Sequence, residues 1–129
     1  MIDSGWLAIE EQLPYTVFQM VRGDTAEFDF QVNNPQTGLP VDITGATIKL
    51  AAKKALEDTT LIIDVSTTGG GITLTAPTQG RGHVVIPAAQ TTALDNVSQD
   101  LPFDLQVAVG GRIWTVARGR IEVLAQVAT

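Results

Sequence analysis

Ala26-Glu27-Phe28-Asp29-Phe30-Gln31-Val32 alternates apolar and polar side chains without a break. That is the period-two signature of a strand with one face buried and the other wet. Arg22-Gly23-Asp24-Thr25 precedes it and Asn34-Pro35-Gln36-Thr37-Gly38 follows it. Both flanks are rich in residues that accept positive φ or bond their own backbone, so each reverses the chain. The stretch therefore predicts a strand over 25–33, held between two turns.

The same grammar continues outward. Upstream, residues 16–22 predict a strand with apolar residues on both faces, hence a central or doubly covered one. Downstream, Pro40-Val41-Asp42-Ile43 is extended, Thr44-Gly45 turns, and 46–52 forms a strand with Ala46, Ile48, Leu50 and Ala52 inward. Further strands are predicted over 60–66, 72–75 and 83–86, with Gly80-Arg81-Gly82 as a turn and Pro87 as a stop. Residues 88–94 form the one helical candidate, too short to stand alone and placed to link two sheets. Residues 101–109 alternate, Gly110-Gly111 is a two-residue hairpin turn, and 112–118 returns. Gly119 reads as a bulge or kink, after which 120–127 continues with Ile121, Val123, Ala125 and Val127 on one side. Seven to nine short strands with a single short helix predict an all-β, antiparallel, immunoglobulin-like sandwich.

Residues 15–129 read as one domain, a size that hides roughly two-thirds of the unfolded chain's surface. Residues 1–14 read as an N-terminal arm. Its Trp6, Leu7 and Ile9 are candidate protein-contact residues, because apolar side chains of this kind call for cover by a partner or by the domain's own surface. Charged residues are 17% of the chain, below the usual quarter, which points to association with other copies or with neighbouring proteins. The net charge of −6 and the scattered basic residues disfavour nucleic acid. No signal peptide or membrane span is expected, so the chain reads as soluble.

The search for chemistry returns structural explanations. There is no cysteine, which excludes disulfides, thiolate metal sites and a cysteine nucleophile. His83 is the only histidine, and no carboxylate is near it in sequence, so it reads as an ordinary strand residue. Asp24 and Asp42 read as turn formers whose side chains bond nearby amides, and Asp104 as an outward strand residue. Gly69-Gly70-Gly71 and Gly80-Arg81-Gly82 lack the Lys-Ser or Lys-Thr of a phosphate loop. Arg22-Gly23-Asp24 is the integrin-binding tripeptide, but Gly-Asp is a turn in its own right. No catalytic residue, cofactor or metal is expected.

With the strands laid out, the order of signals resembles small domains of tailed-phage and prophage structural proteins, including the N-terminal domain of the baseplate upper protein family. The likeness is carried by Gly23-Asp24-Thr25 and Pro40-Val41-Asp42-Ile43-Thr44-Gly45-Ala46-Thr47. Later come Gly82 to Pro87, Gln90-Thr91-Thr92-Ala93-Leu94, Leu101-Pro102-Phe103-Asp104-Leu105-Gln106-Val107 and Gly119-Arg120-Ile121-Glu122-Val123. The chain departs from the pattern at Phe103, where a tyrosine is usual. The resemblance implies a non-enzymatic virion component of the tail, baseplate or fibre-attachment region, made in the host cytoplasm. It would associate with itself and with other virion proteins. The alternative is an immunoglobulin-like binding module that recognises host surface carbohydrate or protein through its loops.

Overall fold

A computed structural model of the chain describes residues 15–34 and 36–127. Eight strands follow in order: β1 (Tyr15–Val21), β2 (Ala26–Gln31), β3 (Thr47–Ala52), β4 (Ile63–Ser66), β5 (Ile72–Ala76), β6 (Arg81–Ile86), β7 (Gln99–Val109) and β8 (Arg112–Leu124). A 3-10 turn, Pro77–Gln79, joins β5 to β6, and the short helix α1 (Ala89–Thr92) joins β6 to β7. The strands form a five-stranded sheet, β1-β8-β7-β3-β4, and a three-stranded sheet, β2-β6-β5. This is the immunoglobulin-like sandwich that the sequence predicts, and α1 links the two sheets as expected. One pairing departs from the antiparallel rule: β1 runs parallel to β8, from Tyr15 opposite Arg118 to Val21 opposite Leu124.

The core is made of the inward residues of both sheets. Ala46, Ile48, Leu50 and Ala52 are all buried, as the alternation predicts. They meet Val65 and Ile63 of β4 on one side and Leu105 and Val107 of β7 on the other. In β2, Ala26, Phe28 and Phe30 point inward while Glu27, Asp29 and Gln31 stay exposed. Phe18 of β1 sits between the sheets, its ring 5.0 Å from that of Phe28 and 5.1 Å from that of Phe103. Tilted and edge-on rings at these distances add attraction beyond area burial. Phe103 is buried in this cluster, where the ring alone is needed.

Four expectations are corrected by the pairing. β1 is an edge strand and not a covered one: Tyr15 and Val17 are 60% and 42% exposed. Its second apolar face lies on the surface of the five-stranded sheet. The bulge in β8 falls at Val116, because Leu105 pairs with Ala117 and Gln106 with Thr115. Gly119 serves another purpose: a Cβ there would run into the backbone of Thr16, so β1 can approach β8 only over a bare residue. Gly82 is inside β6 and not in a turn, and the ring of Phe30 fills the space a side chain would need. Finally, β8 ends at Leu124, leaving Ala125 exposed and Val127 98% exposed.

Candidate functional site

The contact residues expected in the arm, Trp6, Leu7 and Ile9, lie outside the described residues. What the structure adds is the surface around Tyr15, where the described residues begin. Residues opposite one another in the register share a face, so the outer side of the five-stranded sheet carries Tyr15, Val17 and Gln19 of β1. Beside them stand Arg118, Arg120 and Glu122 of β8, then Asp100, Pro102 and Asp104 of β7.

The polar members of this face are tied to one another. Gln19 donates its side-chain amide to Glu122 Oε1 at 2.9 Å, and Arg120 reaches Glu122 Oε2 at 2.9 Å through Nη2. Arg120 also faces Asp100 at 3.7 Å and lies over the Tyr15 ring, 6.0 Å from its centroid. The Gln19 amide, and then Arg120, hold the Glu122 carboxyl below its ordinary range. In return Glu122, and then Tyr15, make Arg120 harder to deprotonate. These groups hold one another in place across the face. Lys49 and Asp64 form a second, looser pair across β3 and β4 at 3.7 Å.

Between the start of β1 and the loop after β3 the face opens into a cleft of about 410 Å3. Tyr15, Leu56, Leu61 and Pro102 give it apolar walls, while Lys53, Asp104 and Arg118 supply charge. Leu56 is 75% exposed there. This cleft could not be found from sequence, because its walls come from four strands and a loop that meet only through the register.

His83 presents a second arrangement that sequence reasoning missed. Its Nδ1 lies 2.7 Å from Asp29 Oδ1 and its Nε2 lies 3.0 Å from Glu27 Oε1. The carboxylates belong to β2, directly across the ladder from β6, where Asp29 pairs with His83. The polar side of the Ala26–Val32 alternation was the available signal. It locates both carboxylates on the wet face but says nothing of their neighbour. Asp29, and then Glu27, raise the pKa of His83. With both ring nitrogens engaged on a solvent-facing sheet, the imidazole is a clasp between β6 and β2. Among the described residues there is no group of three or more His, Cys, Asp or Glu side chains suited to a metal ion.

The Arg22-Gly23-Asp24 tripeptide is a structural corner. Arg22 donates through Nη2 to the Thr92 carbonyl at 2.6 Å, through Nε to the Leu94 carbonyl at 2.7 Å, and through Nη1 to Gln126 Oε1 at 2.9 Å. The Gly23 amide donates to Thr91 Oγ1 at 2.9 Å, and Thr91 is fully buried. The guanidinium is thus spent on two carbonyls at the end of α1 and on Gln126. Asp42 behaves as read: its Oδ1 accepts from the Thr44 amide at 2.9 Å and the Thr44 hydroxyl at 2.6 Å. The hydroxyl, and then the amide, lower its pKa. For Asp24 the structure shows the turn itself, its amide donating to the Val21 carbonyl at 3.0 Å.

Among the described residues no helix is long and apolar enough to cross a membrane. No protein-family model matches the chain, and no curated protein matches it.

Proposed function

We propose that the chain is a non-enzymatic structural protein of a phage virion, from the tail, baseplate or fibre-attachment region. It acts by associating with copies of itself and by packing on neighbouring virion proteins. The observation that carries this reading is the outer face of the five-stranded sheet at its β1 edge. Tyr15 and Val17 are exposed there, beside polar side chains already fixed to each other. Such a surface loses little conformational entropy when it is covered, and its open edge can take a further strand. The sequence resemblance from Arg22 to the C-terminus supplies the virion context. The occupied His83 and Arg22 support a scaffold over a catalytic or integrin-binding role.

Quantitative mass spectrometry of purified particles from the encoding phage or lysogen tests the proposal. A fixed copy ratio to the major tail and capsid proteins is the expected result. Particles that lack the protein would overturn it and favour the host-surface binding module.

A further inference from the structure

We infer that the cleft beside Tyr15 is the receptor for residues 1–14 of a second copy of the chain. The inference rests on the self-association proposed above and names the two surfaces that carry it. Its starting point is that Tyr15, the residue to which this segment is attached, is itself a wall of the cleft. The segment is therefore attached at the rim of a cleft lined by both apolar and charged side chains.

The chemistry of the two sides matches. Trp6-Leu7-Ala8-Ile9 offers a run of four apolar residues to Leu56, Leu61 and the Tyr15 ring. Glu10-Glu11, next along, faces Lys53 and Arg118, which outnumber the one acid in the cleft, Asp104. Pairing of opposite charges fixes the register and suppresses wrong partners more than it adds affinity.

Geometry favours the cleft of another copy. Fourteen extended residues span about 46 Å. A domain this size has a radius of gyration of about 14 Å, hence a diameter of about 36 Å. The segment can thus reach past its own body. Each copy then gives one segment and receives one, a head-to-tail contact that closes into a ring or runs on as a filament.

The absence of native cysteine makes the test direct. Full-length Leu7→Cys and Leu56→Cys variants are mixed and treated with a short bismaleimide. Leu56 is exposed, so its substitution leaves the fold intact. The expected product is the mixed dimer linked between the two cysteines. Its yield should fall roughly threefold to tenfold when Lys53→Glu and Arg118→Glu are added to the Leu56→Cys partner, as for two reversed surface ion pairs. A Leu39→Cys partner, exposed in the loop between β2 and β3 and not a wall of the cleft, should link far less. Equal yields from Leu39→Cys, or a Leu7→Cys/Leu56→Cys double variant that links only within one chain, would overturn the inference. Oligomers by light scattering without the Leu7–Leu56 link would refute the cleft while keeping self-association. A monomer at every concentration would refute both.

Discussion

Replacing Gly119 with alanine tests the tightest contact in the sandwich. A Cβ at this position falls on the carbonyl of Thr16, in the facing strand β1. Backbone cannot step aside as a flexible side chain can, so β1 must shift away from β8. That strand is held by its pairing with β8 from Tyr15 to Val21 and by burial of Phe18 and Met20. Overpacking a fitted site costs about 1–3 kcal/mol, and a backbone obstacle belongs at the upper end, about 2–3 kcal/mol. An unfolding entropy of about 2.1 cal/mol/K per residue gives roughly 0.27 kcal/mol/K for this chain. The expected fall in Tm is then about 7–11 °C. Differential scanning fluorimetry gives the Tm, and hydrogen exchange should show faster exchange in β1 than in β3 and β7. Gly110→Asn is the control: Gly110 has φ of 61° and open space around it, and Asn-Gly suits that hairpin turn. Its Tm should stay within about 2 °C of wild type. If Gly119→Ala matches that control, the close approach of β1 to β8 is wrong.

Three further outcomes follow from the same contacts. The raised pKa of His83 means that its contribution to stability is fully present below the unfolded value of 6.5. That contribution is lost as pH rises through the folded value. Urea midpoints should therefore fall from pH 6 to pH 8.5 more in wild type than in His83→Gln, and equal slopes would remove the clasp. Thr91→Val leaves the Gly23 amide without its acceptor, which should cost about 1–3 kcal/mol in chemical denaturation. Arg22→Lys keeps the charge but cannot span the Thr92 and Leu94 carbonyls together. It should lower stability by about 1–2 kcal/mol, and a neutral result would show that the corner holds without the fork.

What the sequence discloses and what it hides follow from the range of the forces involved. β2 and β3 are legible because each has one wet face and one buried face, and alternation within a strand records that directly. β1 is misleading for the same reason: Tyr15 and Val17 are apolar, and a strand's own pattern cannot say whether a neighbour covers them. Gly119 and Val116 show the limit more sharply. A glycine in a strand marks either a bulge or a close approach, and only the facing strand decides between them. The true bulge carries a valine that no local rule would single out. His83 and the cleft lie wholly beyond such rules, since Glu27 and Asp29 meet the ring through register, more than fifty residues away. The apolar residues that break the two-face pattern carry information all the same. On β1 they mark the face that burial within the domain does not account for, and that face includes Tyr15, next to residues 1–14 in the chain. Arg120 over the Tyr15 ring accounts for part of that face, a partner surface is a further physical reason to keep a tyrosine and a valine there, and cross-linking from Leu7 asks whether residues 1–14 supply it.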